Sequence, residues 1–340
     1  MLSLCIITKD EEIFLPACFQ AVQDIVDEIV VVDTGSTDRT VEIAKGFCAK
    51  VYFTPWEEDF AKAKNVALGY ATGDWVLNLD ADEIIDAKGC EEVKRLISSN
   101  TADAFYLLQR TYTNYTKGLG FVRLASNAPF LLMQHLNLPQ KEFSGHYTTK
   151  IIRLFRNKNI TFVGAIHEDA RPALEKKGMG IAESAVVMHH FHELKGDAFI
   201  EKKRDSYLRM LRKRFDELQT AKAAYDLGLG IYDRKKDIDE ARQYVEKALE
   251  MEPDFEEALF TLGVFSIKEK KYEGGITYFE KVLSLNPRNY WAYTNLALLY
   301  ATLKEWKKCK VVYEKALEKG HPEMEEILGQ IKALEGKLSD

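Results

Sequence analysis

A 34-residue period in the C-terminal third constrains this 340-residue chain more than any other feature. With Lys222, Glu256 and Tyr290 as equivalent starts, small residues recur at Ala241, Gly275 and Cys309. Large apolar residues recur at Val245, Phe279 and Tyr313, and leucines at Leu249, Leu283 and Leu317. Pro253 and Pro287 close the first two units, and His321-Pro322 closes the third. A small residue at a fixed place lets two helices approach closely, and proline ends the second helix because it lacks an N–H and clashes with the preceding turn. Three helix pairs over 222–323 follow, each burying its apolar face only by stacking on the next. Leu262-Gly263 and Leu296-Ala297 mark the first helix of their units, whereas Leu227-Gly228 falls one residue early. The charged stretch 196–221, with Phe199, Tyr207, Leu208 and Leu211 at helical spacing, predicts a linking or capping helix, and 324–340 a C-terminal capping helix or tail.

Residues 1–195 follow another pattern. Leu2–Thr8, Glu28–Asp33, Val51–Phe53, Asp74–Leu79 and Ala104–Gln109 read as strands, separated by helices at 11–23, 38–49, 59–71 and 87–98. Strands alternating with helices of about 12 residues predict a mostly parallel, doubly wound α/β sheet, with ligands beyond the carboxyl ends of the strands. Ile151–Arg156 and Ile160–Val163 suggest a hairpin around Asn157-Lys158-Asn159, and Ser184–Met188 a last strand. The aromatic, polar stretch 111–150 reads as strands or loops able to cover a site. At about 150 residues per domain, the length agrees with an α/β domain over 1–195 followed by an all-α repeat domain.

Composition excludes several classes of function. With 46% apolar and 29% charged residues the chain is globular. A net charge of −6 argues against a nucleic-acid partner. No run of about 18 apolar residues predicts an integral membrane segment. The N-terminus lacks a basic leader and runs straight into a strand pattern, so no signal peptide is expected. Five scattered cysteines without a CxxC pair suit free thiols in a reducing cytoplasm. Residues 1–100 hold 19 acids and 9 bases, a net of −10, whereas residues 101–195 hold 7 acids and 12 bases, a net of +5. An acidic block followed by a basic one suits a metal and an anionic ligand between them, and arises equally from ordinary solvated faces.

Two segments carry the chemistry. The apolar strand Trp75–Leu79 delivers Asp80-Ala81-Asp82-Glu83 to the sheet's carboxyl edge. Residues two apart face one way in extended backbone, and two close carboxylates call for a cation between them. Hard oxygen donors suit Mg²⁺ or Mn²⁺. The plain alternative is an acidic helix cap. Asp33-Thr34-Gly35-Ser36-Thr37-Asp38 likewise ends a buried strand and opens a helix, and serves either as a turn or as a ligand loop.

These segments, with Leu4-Cys5-Ile6-Ile7-Thr8-Lys9-Asp10-Glu11-Glu12, resemble the donor-binding half of family 2 glycosyltransferases of the GT-A fold. Trp56–Asn65, Arg153-Leu154-Phe155-Arg156 and Val163-Gly164-Ala165-Ile166-His167-Glu168 resemble more narrowly the lipopolysaccharide-core β-glucosyltransferase and sublancin-type peptide S-glycosyltransferase subgroup. The 34-residue unit is the tetratricopeptide signature. Lys64 stands where the subgroup commonly has arginine, which keeps the charge but loses the planar fork. Thr34 replaces a second aspartate, which leaves Asp33 as the candidate base contact.

The resemblance implies an inverting hexosyltransferase with a UDP-sugar as donor substrate and Mn²⁺ or Mg²⁺ as cofactor. Asp80 and Asp82, with His189 of His189-His190-Phe191-His192, would hold the metal. Thr8, Asp33, Lys64, Asp80 and Arg153 would line the donor. Glu168, then Asp169 and His167, are candidates for the general base that takes the acceptor proton. The repeats favour a peptide or protein acceptor or partner and allow a homo-oligomer. The alternatives are a lipopolysaccharide-core or other envelope-sugar acceptor, and a catalytically inactive interaction scaffold. A nucleotidyltransferase would need a glycine-rich, lysine-bearing loop near 8–20. Lys9-Asp10-Glu11-Glu12 has the wrong charge for one.

Overall fold

The computed structural model describes residues 1–116, 121–166, 168–320, 327–332 and 334. It divides into two compact units, Met1–Lys203 and Arg204–Asp340. The first unit contains β1 (Leu2–Thr8), α1 (Leu15–Val22), β2 (Glu28–Asp33), α2 (Thr40–Gly46), β3 (Lys50–Phe53), α3 (Phe60–Tyr70), β4 (Trp75–Asn78), β5 (Glu83–Ile85) and α4 (Ala87–Ser99). It continues through β6 (Ala104–Thr113), β7 (Val122–Arg123), α5 (Ala128–His135), β8 (Gly145–Arg156), α6 (Arg171–Lys176) and β9 (Ile181–His190).

Among the described residues these strands form one sheet in the order β3-β2-β1-β4-β8-β6-β9-β5, with β7 alongside β8. The first four strands in this order run parallel to one another. Their near-continuous apolar runs reflect burial on both faces. Leu4, Ile6, Val31 and Leu77 pack with Phe19 and Val22 on one side, and Cys5, Val30, Val32 and Val76 with Ala67 and Phe155 on the other. Asp59 and Asp86 cap α3 and α4 by accepting from the Lys62 and Gly89 amides.

The second half of the sheet departs from the parallel expectation. β8 runs antiparallel to β4 and β6, and β5 antiparallel to β9, so the sheet is mixed. The hairpin expected at 151–163 does not form. Asn157 donates to the carbonyls of Ala71 and Gly73, both at 3.0 Å, and turns the chain away from β8. Phe162 then docks on α3 through two hydrogen bonds with the Asn65 amide, at 2.7 and 2.9 Å. The stretch 111–150 contributes the end of β6, β7, α5 and the start of β8, with Gly118 and Gly120 outside the described residues.

α7 (Asp197–Leu218) begins in the first unit and continues into the second. Three helix pairs follow: α8 (Ala221–Lys235) with α9 (Ile238–Met251), α10 (Glu256–Lys268) with α11 (Tyr272–Leu285), and α12 (Tyr290–Thr302) with α13 (Trp306–Glu318). Residues 327–332 are helical, and Ile327, Ile331 and Leu334 bury against the last pair. The remainder of 321–340 lies outside the described residues.

The small positions are where the helices of a pair touch. A Cβ on Gly228 would lie 2.9 Å from the Ala241 carbonyl oxygen and 2.7 Å from Val245. Gly228→Ala gains about 1 kcal/mol of helix propensity. The forced shift of α9 backbone costs about 1–3 kcal/mol and outweighs it, for a net loss of up to about 2 kcal/mol. Gly274→Ala meets only the Ser266 hydroxyl at 3.9 Å and is neutral or stabilising. Urea unfolding of the repeat unit, followed by circular dichroism, checks both signs.

Candidate functional site

The parallel strands β1, β2 and β4 end together in two loops and a turn. β4 ends at Asn78, and the Glu83 amide donates to the Asp80 carbonyl at 3.0 Å, so residues 80–83 turn instead of running on extended. The expectation that Asp80 and Asp82 face one way is corrected accordingly, because the two-residue alternation holds only within a strand. Each carboxylate meets a different group of cations.

Asp80 faces Lys64 of α3 at 3.0 Å and Arg153 of β8 at 3.0 Å, with 38% of its side chain exposed. Lys64 Nζ also reaches Glu168 Oε1 at 2.6 Å, and Arg153 reaches it at 4.0 Å. Arg153 donates further to Asn78 Oδ1 at 2.9 Å and to the fully buried Glu83 at 3.0 Å. Glu83 in turn accepts from the Asp80 amide at 2.9 Å and from the Gln109 amide. Burial raises the Asp80 carboxyl, but Lys64 and then Arg153 outweigh it and hold it well below the usual range. Burial likewise pushes Glu168 up, and Lys64 with Arg153 brings it below its ordinary value. Burial and the adjacent Arg153 pull Lys64 down, while Asp80, Glu168 and Glu83 raise it overall and keep its ammonium charged.

Asp82 is turned under the sheet edge and is 4% exposed. Lys195, on the 3₁₀ turn His192–Lys195, lies 3.0 Å from it and 2.6 Å from Glu11. His190 Nε2 lies 3.6 Å from Asp82, while its Nδ1 meets the Thr111 hydroxyl at 3.0 Å. Burial, only partly offset by Lys195 and reinforced by Asp82, lifts Glu11 to about 7. His189 lies opposite Ile84 in the pairing of β5 with β9, whereas His190 lies opposite Glu83, so the two rings take opposite faces. His189 bonds the Tyr112 hydroxyl at 2.7 Å and faces Asp86 at 3.5 Å.

Asp33 builds its own loop. It accepts from the Gly35 and Ser36 amides at 3.0 and 2.9 Å and from the hydroxyls of Ser36 and Thr8. Gly35, at φ +111°, takes the backbone conformation that lets the turn close. The neighbouring loop is stitched to it: the amides of Asp10, Glu11 and Glu12 donate to Ser36, Thr40 and Asp38.

Of the residues expected at the site, the structure therefore gathers Lys64, Asp80, Arg153 and Glu168 into one cluster. Thr8 and Asp33 form the adjacent loop. Asp169 points elsewhere, capping the Arg171 amide at 2.8 Å and pairing with the Arg171 side chain at 3.0 Å. His167 lies outside the described residues. Glu83, Glu11, Lys195 and His190 belong to the site without having been expected there. Glu83 and Glu11 stood within the quoted motifs, but Lys195 had no sequence signal.

Among the described residues, no three His, Cys, Asp or Glu side chains converge to hold a metal ion. Asp80 is a partly exposed hard donor, and Mg²⁺ or Mn²⁺ is commonly bound through one or two carboxylates with the rest from phosphate oxygens and water. The site thus suits a divalent ion that arrives with an anionic ligand.

Residues 3–161 match the family described as glycosyl transferase family 2. Residues 221–255, 256–289 and 278–310 match tetratricopeptide repeats. A TPR repeat-containing protein of Synechococcus elongatus is 41% identical over 133 residues, covering 39% of this chain and 33% of that protein. An uncharacterized glycosyltransferase of Rickettsia typhi is 34% identical over 171 residues, covering 49% and 56%. The SPbeta prophage-derived glycosyltransferase SunS of Bacillus subtilis is 28% identical over 170 residues, covering 48% and 33%. The matched part of the chain thus spans between a third and just over half of the length of these relatives.

Arg153 is the cation whose loss leaves most behind. Arg153→Met strands Glu83 at 0% exposure and should cost the first unit about 3–5 kcal/mol. Differential scanning calorimetry of the full chain would show the drop in that unit's transition alone.

Proposed function

We propose that this chain, whose residues 3–161 match the family described as glycosyl transferase family 2 and whose C-terminal unit matches tetratricopeptide repeats, is an inverting, metal-dependent hexosyltransferase. The donor is a UDP-sugar and the acceptor a peptide or protein side chain. The observation that carries this reading is the cluster at the end of β4. There the partly exposed Asp80 sits between the buried cations Lys64 and Arg153, and Glu168 stands on the far side of Lys64.

In such a transfer the bond from the sugar's anomeric carbon to the diphosphate breaks as the acceptor bonds to that carbon, and the acceptor's proton must leave. Lys64 and Arg153 supply positive charge where the departing diphosphate becomes more negative. A divalent ion held by Asp80 would supply Lewis-acid stabilisation of the same charge. Glu168, ionised at neutral pH, accepts the proton. Its pairing with Lys64 makes it a weak base until a diphosphate competes for that ammonium. Thr8 and the Asp33 loop flank the cluster, where a nucleoside would lie. The tetratricopeptide units support a peptide or protein as acceptor, since such arrays present extended surfaces to peptides.

Isothermal titration of UDP in the presence of Mn²⁺ should give measurable heat, and Asp80→Ala should abolish the dependence on Mn²⁺. Absence of any heat would favour the inactive scaffold. A UDP-release screen of donors, followed by mass spectrometry of acceptor peptides, should show the gain of one hexose.

Glu168→Gln should lower kcat by about 10²–10⁴ with donor KM little changed. Because its folded value lies below the ordinary 4.5, Glu168 contributes no acid limb to kcat/KM at neutral pH. Activity limited by Glu168 is lost only as pH falls below that range. A limb near pH 6–7 in kcat/KM that disappears in Glu168→Gln would contradict the lowered titration of Glu168, and an unchanged kcat in Glu168→Gln would contradict its role as the base.

A further inference from the structure

The second helices of the three repeats differ in the charge they place at their start. The first turn of α9 carries Asp239 and Glu240, and that of α11 carries Glu273. Acids there complement the positive end of the helix dipole. The 34-residue register puts Lys307-Lys308 at the places of Asp239-Glu240 and Glu273-Gly274, and the first turn of α13 has no acid. Two lysines at a helix start oppose the dipole, and of the two Lys308 is offset by the N-cap Glu305.

Both face a groove of about 500 Å³ between α11 and α13, floored by α12. Lys315, two turns further along α13, lines the same groove. Lys308 stands over the Tyr300 ring at 5.3 Å and pairs with Glu305 at 2.5 Å. The acid on the opposite wall, Glu280, accepts from the Tyr300 hydroxyl at 3.0 Å. Lys307 and Lys315 form no ion pair among the described residues, and positive charge prevails in the groove. Apart from Ser284, the remaining lining is apolar or aromatic: Leu296 is buried in the floor, and Val311 on the α13 wall is 47% exposed.

We propose that this groove binds an acidic peptide segment carrying an apolar side chain. The lysine pair and Lys315 are seven to eight residues apart, about 11–12 Å along the helix. That matches acidic residues three to four apart in an extended segment. The apolar floor and Val311 give the partner's apolar side chain a place that a bare polyanion would leave unused. The groove lies between second helices, a separate surface from the one where α12 exposes Trp291 and Leu298. The proposal is read by binding alone and stands whether or not the chain transfers sugar.

Fluorescence anisotropy of the full chain with a labelled peptide of six glutamates and two leucines tests it. Binding is expected, weakening as salt rises. Lys307→Glu with Lys308→Glu should weaken it at least tenfold. This variant keeps its fold, since it restores the acidic start of the other repeats, and circular dichroism checks that. Val311→Asp should weaken binding similarly, whereas reversing Lys45 and Lys88 of the first unit should not. The proposal is overturned if the peptide does not bind, if the lysine reversal leaves its affinity unchanged, or if a glutamate-only peptide, a DNA oligonucleotide or anionic vesicles bind as tightly.

Discussion

The Arg153–Glu83 ion pair is the interaction around which the edge of the sheet is built. Burying two charges is costly unless both find several partners. Here Arg153 is satisfied by Asn78, Asp80 and Glu83, and Glu83 by the Asp80 amide and Gln109. These partners come from β4, the turn after it, β5, β6 and β8. One guanidinium therefore fixes where β4 stops, how the chain turns, and which way Asp80 points. The antiparallel course of β8 is part of the same arrangement, because it brings Arg153 alongside the end of β4.

The turn separates what the motif Asp80-Ala81-Asp82 joins in sequence. Asp80 is shared by Lys64 and Arg153 and stays partly open, whereas Asp82 is enclosed by Lys195 and His190. The first acid keeps an open side. The second ties the loop after β1, through Glu11, to the segment that follows β9. A pair of carboxylates two apart is thus divided into one that faces outward and one that braces the site from beneath.

The alternation of strands and helices in the first hundred residues was readable because parallel strands buried on both faces leave unbroken apolar runs, and because Asp59 and Asp86 cap as their chemistry dictates. The repeats were readable because close helix contact demands small residues at a fixed period. Side-chain direction at the site was less readable. Whether Asp80 and Asp82 share a face depends on where β4 ends, and whether His189 or His190 reaches the acids depends on the register of β9 against β5. β5 itself has three residues and lay hidden inside an acidic motif. Lys195 gives no local sign that 184 residues separate it from its partner Glu11. The hairpin at 151–163 failed because Asn157 and Asn65 offer the backbone better partners than a neighbouring strand would.

The blocks of opposite charge along the chain acquire a physical meaning in this arrangement. The acids Asp80, Asp82, Glu83 and Glu11 come from the first block, and Arg153 and Lys195 from the second. Much of the contrast is therefore spent inside the protein, cation against carboxylate, and does not stand ready as a bare positive patch. A diphosphate entering beside Asp80 and Glu168, as proposed, would have to compete with both carboxylates for Lys64 and Arg153. Alone it would leave the cluster with an excess of negative charge in a partly buried place, where charges interact more strongly than in water. A divalent cation arriving with it would restore the balance and would use Asp80, which keeps an open side. Electrostatic neutrality, more than the count of protein ligands, is thus the physical reason to expect the anion and the metal to bind together.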